Sequence, residues 1–376
     1  MSIRRLILLG ICLAIAVFLT ISFNNVSIDA NKTINVYGWY GIIPREIFND
    51  FERETGLKII YDVYDTNDSL EAKLLATNSG YDIVFPSYTP YAARQHSMGV
   101  YLKLDRRFLP NLKNIEGILT EEFRKSGGDT DYLIPIFWGT IGVAYESNCV
   151  DREFPNEKID SYSILFDANK VKKLTKYGVS FPEEYTDVLP QLKHYLQIKD
   201  KIKNLKTLKT LANYLKGVRQ YITKFSSTTL INDLLSGEVC IAIGPSDNAF
   251  RAIKAAPSVG KNVKYFIPKE SGNLWIDCVG ILKKAPHKKN AYKFLNYLLQ
   301  PEVAAKITNH SGIVVNIPEA VKYFNPIIKQ YDQICPTDPK VLKTLRLEPP
   351  SQTEKDLEFD RIANRVWSQL KMNIYK

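Results

Sequence analysis

Apolar residues recur along this chain with two different periods. Thr33 to Tyr37, Leu57 to Val63 and Tyr81 to Phe85 are short runs rich in β-branched and aromatic residues, which predict strands. Between the first two, Ile43, Ile47, Phe48 and Phe51 share one helical face. Pro44 suits the first turn of that helix and Thr55-Gly56 ends it. Asn67 or Asp68 can cap a second helix running through Thr77, with Leu70, Leu74 and Leu75 at helical spacing. Strand, helix, strand, helix, strand with short connections predicts a parallel sheet covered by helices.

The middle of the chain, from about Ile141 to Ile276, is more helical. Leu205 to Leu215 and Thr229 to Leu235 predict helices, and Val239 to Ile243 a buried strand ended by Gly244-Pro245. Lys289 to Leu299 predicts a strong helix. Leu357, Ile362, Val366 and Leu370 predict a final amphipathic one, after a loop-rich stretch marked by Pro336, Pro339, Pro349 and Pro350. No internal repeat or low-complexity tract interrupts the pattern.

The first thirty residues break it. Arg4 and Arg5 precede a nearly unbroken apolar run from Leu6 to Phe23, the pattern of a secretory signal over residues 1–30, with an uncleaved membrane anchor as the alternative. Either places the bulk of the chain outside the cytoplasm. The 376 residues allow two domains or two lobes, and 45% hydrophobic with 24% charged residues is ordinary globular composition. The net charge of +10 raises the question of nucleic acid. However, the lysine cluster from Lys199 to Lys209 alternates with apolar residues and lacks interleaved aromatics, so it reads as a solvated helix face.

Signals for catalysis and metal binding are missing. His96, His194, His287 and His310 have no neighbours at metal spacing and read as surface residues; no nucleophile elbow, P-loop or zinc-helix motif occurs. The expectation is therefore no catalytic residue, no metal and no cofactor. Cys149, Cys240, Cys278 and Cys335 follow the leader, and their three possible pairings cannot be separated by sequence. Cys240 and Cys278 sit in apolar runs and read as buried free thiols.

Positive chemistry lies where the strands end. In an open parallel sheet ligands bind beyond the carboxyl ends of the strands. Those ends carry Trp39, the segment Asp65 to Asn67, Ser87-Tyr88 and Ser246-Asp247-Asn248. Farther along, Trp275 and Asp277 are two apart, so a strand turns both to one side. An aromatic face beside a carboxylate suits an organic ammonium group. Either residue alone reads equally as a core tryptophan or a solvated acid.

Several motifs in order then resemble one family. Val36-Tyr37-Gly38-Trp39, Ile43-Pro44, Phe51-Glu52-Arg53-Glu54-Thr55-Gly56-Leu57-Lys58 and Tyr81-Asp82-Ile83-Val84-Phe85-Pro86-Ser87 are similar to bacterial periplasmic polyamine-binding proteins. These are the spermidine/putrescine substrate-binding components of ABC importers. Ile134-Pro135-Ile136-Phe137-Trp138-Gly139, Ile267-Pro268-Lys269-Glu270, Trp275-Ile276-Asp277 and Phe294 to Leu299 followed by Pro301-Glu302-Val303-Ala304 continue the resemblance.

What the resemblance implies is an α/β, two-lobed clamshell of the type II periplasmic-binding-protein kind, each lobe a mixed, mainly parallel sheet flanked by helices. Residues 31–139 plus 277–345 would form lobe 1, and 140–276 plus 346–376 lobe 2. Trp39 would stack on a polyamine chain, Ser87 would line the cleft, and Trp275 and Asp277 would supply a second aromatic wall and a carboxylate. Glu184 and Asp187 would provide two acids of the second lobe, with Glu183 an alternative register, and Asp247 a polar contact. The family pattern is altered at Gly41 and Ile42, at Pro245, and at Ile313, each standing where a ligand-facing side chain is usual.

The function implied is that of an extracytoplasmic solute-binding protein, monomeric and periplasmic. It would bind putrescine, spermidine or a similar small organic cation and deliver it to an ABC permease of the inner membrane, with no role for nucleic acid. The alternatives are a clamshell sensor presenting a different solute to a membrane receptor and, without support from any nucleophile–base pair, an exported enzyme.

Overall fold

The computed structural model of the protein describes residues 30–372, apart from 77, 78, 116, 331, 337 and 352. The leader expected over residues 1–30 lies outside them but for its last residue. Among the described residues no helix is long and apolar enough to cross a membrane.

The chain begins as its periodicity predicts. Strand β1 (Thr33–Trp39) leads to α1 (Arg45–Thr55), β2 (Lys58–Tyr64), α2 (Asn67–Leu75) and the short β3 (Ile83–Val84). Helix α1 buries Ile47, Phe48 and Phe51 and stops at Gly56, whose φ of 68° is one that only glycine adopts without strain. Helix α2 is capped by neither Asn67 nor Asp68. The Thr66 side chain accepts the Ser69 N–H, and the Asn67 amide is engaged elsewhere, as described below. The helix ends at Leu75, and Thr77 lies outside the described residues. Strand β1 pairs in parallel with β2 and with β3, as the βαβαβ pattern requires.

Two long strands carry the rest. Strand β4 (Ile134–Glu146) is buried throughout its 13 residues. Helices α3 (Ser147–Glu153), α4 (Leu205–Arg219) and α5 (Leu230–Ser236) and strands β5 (Val179–Phe181), β6 (Lys224–Phe225) and β7 (Ile241–Pro245) follow. Then come α6 (Ser246–Ala255), β8 (Val263–Phe266) and the second long strand, β9 (Asn273–Ile281). The chain closes with α7 (Lys288–Leu298), α8 (Pro301–Ser311), β10 (Val314–Val315), β11 (Arg346–Leu347) and α9 (Glu354–Met372).

The strand order is β2-β1-β3-β9-β4-β7-β5-β6, with β8 and β10 also on β4 and β11 on β9. The two long strands cross the molecule. The C-terminal end of β9 pairs with β3, at Val84 and Gly280, while from Asn273 to Val279 it pairs antiparallel with β4, with Gly139 opposite Trp275. The C-terminal half of β4 pairs with β7 and β8. Mixed sheets flanked by helices therefore stand on either side of a shared two-strand crossing.

Two hydrophobic clusters fill the structure. One runs from Ile34, Val36, Phe51 and Phe85 through Phe294 and Leu298 to Phe250; the other gathers Tyr162, Phe166, Phe181, Leu211 and Trp367. Trp275 packs against both. The last helix differs from its predicted register: α9 buries Phe359, Ala363, Trp367 and Leu370, and Leu357 is exposed. Trp367 also donates its indole N–H to the Glu183 carbonyl, which pulls that face inward.

Two sequence expectations are corrected. Cys240 is not a free thiol: it is disulfide-bonded to Cys149, fastening α3 to the start of β7. Their ninety-one-residue separation hid the pairing from any spacing rule. Cys278 and Cys335 are free and buried. His287 and His194 are not surface residues but half-buried. His287 meets Asp82 at 2.9 Å and donates its backbone N–H to the same carboxylate, tying α7 to the start of β3. Burial pushes His194 down to about 4, so its imidazole stays neutral at pH 7.

Candidate ligand-binding site

The carboxyl ends of β1, β2 and β3 converge on the crossing strands. Trp39 ends β1 and Tyr64 ends β2, opposite each other in register, with ring centroids 4.5 Å apart. The Tyr64 hydroxyl donates to the Phe85 carbonyl at 2.5 Å, which holds the ends of β2 and β3 together. Two residues on from Phe85, Ser87 bridges to Asp277 of β9. The Ser87 hydroxyl donates to Asp277 Oδ1 at 2.7 Å. Asn67 completes the chain: its Oδ1 accepts the Ser87 N–H and its Nδ2 donates to Ser87 Oγ, both at 3.0 Å.

Asp277 is 6% exposed, and among the described residues its hydrogen-bond partner is a hydroxyl and not a cation. Burial pushes its carboxyl up to about 7, against the opposing pull of the Ser87 hydrogen bond; the negative charge of Asp247 raises it further. The Trp39 indole N–H favours the charged form from nearby without a hydrogen bond of regular geometry. The indole N–H groups of Trp39 and Trp275 are both buried and lack a partner among the described residues. Such donors cost free energy unless something accepts from them.

Trp275 holds its place because its partner in register is glycine. A Cβ on Gly139 would stand 2.4 Å from the Trp275 ring and 2.8 Å from the Ser246 hydroxyl. That hydroxyl accepts the Thr140 N–H at 3.2 Å, seating the first turn of α6 on β4. Asp247 is the next residue of α6. It is buried, and burial raises its carboxyl, while Arg251 one turn later pairs with it at 2.9 Å and pulls the other way.

Of the residues singled out from sequence, Trp39, Ser87, Asp247, Trp275 and Asp277 are thus gathered at the crossing. Glu184 and Asp187 are not joined to them: among the described residues no hydrogen bond or ion pair links either acid to Asp277. Glu184 is exposed and accepts from the Ser227 hydroxyl. Asp187 is half-buried, and burial together with the charge of Glu184 pushes its carboxyl up to about 7. Between them, Tyr185 donates to Asp360 of α9. The sequence singles out neither Tyr64 nor Arg251, and it gives Gly139 only as the last residue of a family motif. Tyr64 left a signal, one residue past a predicted strand. Among the positions altered from the family pattern, Ile42 and Ile313 are buried in the larger cluster.

A separate groove of about 770 Å³ lies beside the disulfide, lined by Arg152, Lys176, Lys224, Glu238 and Lys261 among others. It shares no residue with the Asp277 group. Lys176 is paired with Glu153, and Lys224 with Asp233 and Glu238.

The architecture and this cluster can be compared with known proteins. Residues 46–334 match the profile of the bacterial extracellular solute-binding proteins. The chain belongs to that family. Its relatives include the putrescine-binding periplasmic protein SpuD of Pseudomonas aeruginosa, 38% identical over 91% of this chain and 92% of that protein. The putrescine-binding periplasmic protein PotF of Escherichia coli is 32% identical over 90% and 91%. Among solved structures, the spermidine/putrescine ABC transporter substrate-binding protein PotD of Streptococcus pneumoniae superposes with a TM-score of 0.79 at 21% identity. It covers 91% of this chain and 99% of that one, and it establishes the two-lobed fold. The solute-binding family to which the chain belongs works by binding, and the two relatives given above are named for binding, not for catalysis.

Proposed function

We propose that this solute-binding protein takes up a polyamine, putrescine or spermidine, in the cleft between its lobes. The observation that carries the reading is Asp277: a buried carboxylate that accepts from the Ser87 hydroxyl and lies near the Trp39 indole N–H, with Trp275 two residues before it on β9. A buried carboxylate without a cation is costly, and an alkylammonium supplies the missing charge. Its methylenes then cover indole faces, at roughly 0.8 kcal/mol per buried CH₂. The names of the relatives support the same solute class.

In this reading residues 31–139 plus 277–345 form one lobe and 140–276 plus 346–376 the other, divided where β4 and β9 cross at Gly139 and Trp275. Glu184 and Asp187 approach the far end of the solute only when the lobes close. The protein works in the periplasm as a monomer, exported by its leader, and hands its solute to an ABC permease; nucleic acid has no part in it. Isothermal titration of the mature protein with putrescine and with spermidine tests the solute. Saturable binding of one molecule per chain is expected, and absence of heat and of tryptophan fluorescence change at millimolar amine would exclude polyamines.

A further inference from the structure

One of the two buried acids at the crossing carries a cation of its own. Asp247 and Asp277 are both buried, and the charge of Asp247 reaches Asp277, but their partners differ. Asp277 has the Ser87 hydroxyl. Asp247 has Arg251, whose Nη2 donates to Asp247 Oδ2 at 2.9 Å and also to Asn248 Oδ1. The two pair as i and i+4 on α6, with the carboxylate enclosed and the guanidinium side chain 46% exposed. Asp247 also sits in the first turn of the helix, where backbone N–H groups favour its charge. One acid at the crossing is therefore already neutralised and the other is not.

We infer that Arg251 is a resident counter-cation that sets how many ammonium groups the site accepts: a solute's first ammonium takes Asp277, and a second must compete with the Arg251 guanidinium for Asp247. This rests on the polyamine reading above. Arg251 then acts as a specificity residue that holds down the advantage of multiply charged amines over singly charged ones. Its hold is moderate because the guanidinium is half in water, where an ion pair is worth little. It can swing outward when a second ammonium arrives. Lys254, one position short of a turn further along the same helix, lies over the Phe250 ring at 5.3 Å and shares neither acid, so it provides a control of equal charge.

The test is the ratio of affinities for putrescine and butylamine, which differ by one ammonium, measured by titration at fixed pH and salt. Arg251→Ala is expected to raise the preference for putrescine by about three- to fivefold, the range of a half-exposed charge pair. Arg251→Lys and Lys254→Ala should leave the ratio within about twofold. Arg251 is on the surface, and an unchanged melting temperature verifies that the variants fold. If the native protein prefers putrescine and Arg251→Ala leaves the ratio where it was, or Lys254→Ala moves it as far, the inference falls and the polyamine reading stands. If the native protein binds neither amine, both fall.

Discussion

Asp277 shows how a single carboxyl can be tuned by residues scattered over two hundred positions. Asn67 orients Ser87, Ser87 donates to Asp277, and Asp247 opposes the charge from α6. The result is an acid poised near 7, above the roughly 3.9 of an aspartate in water. Because the folded-state value is raised, this group favours the empty folded protein most below about pH 4 and loses that contribution as pH rises through 7. Binding runs the opposite way. An ammonium with an ordinary value of about 10.4 stays charged and needs the carboxylate, so affinity should rise between pH 6 and pH 8 and level off above. Asp277→Asn should weaken putrescine binding by at least about tenfold, as for a lost charge-assisted hydrogen bond, and remove most of that pH dependence. An equally steep pH profile in the variant would assign the titration to Asp187 instead. Trp275 and Asp277 could be paired from sequence because a strand's period is two. Ser87 acting on Asp277 could not, since 190 positions separate them.

Among the elements, the crossing of β4 and β9 decides the geometry, and Gly139 lets it happen by leaving room for the Trp275 ring. The helices were legible wherever one face alone was apolar, as in α1 and α4, where Leu208, Leu211 and Leu215 are buried together. Helix α9 was misread by register. Its sequence offers two overlapping apolar rows, and Trp367 decides between them by reaching Glu183 on another segment. The disulfide is the other element-scale surprise. It joins α3 to the lead-in of β7 and closes a loop of 91 residues. In the chain-entropy account, removing it costs about 4 to 5 kcal/mol. Cys149→Ser with Cys240→Ser should therefore lower the melting temperature by many degrees while leaving polyamine affinity nearly unchanged. An unaltered melting temperature would show that the bond does not form.

For the whole molecule, two lobes joined through a pair of long strands, with the last segments folded back on them, invite rotation about that crossing. In the solute-binding reading this motion brings Glu184 and Asp187, which among the described residues make no hydrogen bond or ion pair to Asp277, toward the solute. Small-angle scattering with and without putrescine should show a smaller radius of gyration in the bound state. Melting should shift upward as ligand exceeds its Kd, by about 2.7 kcal/mol of added stability at a hundredfold excess. Binding without any change in scattering would mean that the lobes are already closed, and the two acids would then have no part in the site.

The sequence by itself determined the strand–helix order, the family and the identity of most residues at the crossing. Periodicity and short motifs depend only on near neighbours in the chain, so they survive without a structure. Only the tertiary structure decided the Cys149–Cys240 bond, the register of the last helix, the pairing of Asp247 with Arg251 rather than with open solvent, and the raised value of Asp277. Each of these depends on how much water is excluded and which distant group fills the space, and burial is a property of surfaces brought together, not of the residues that carry them.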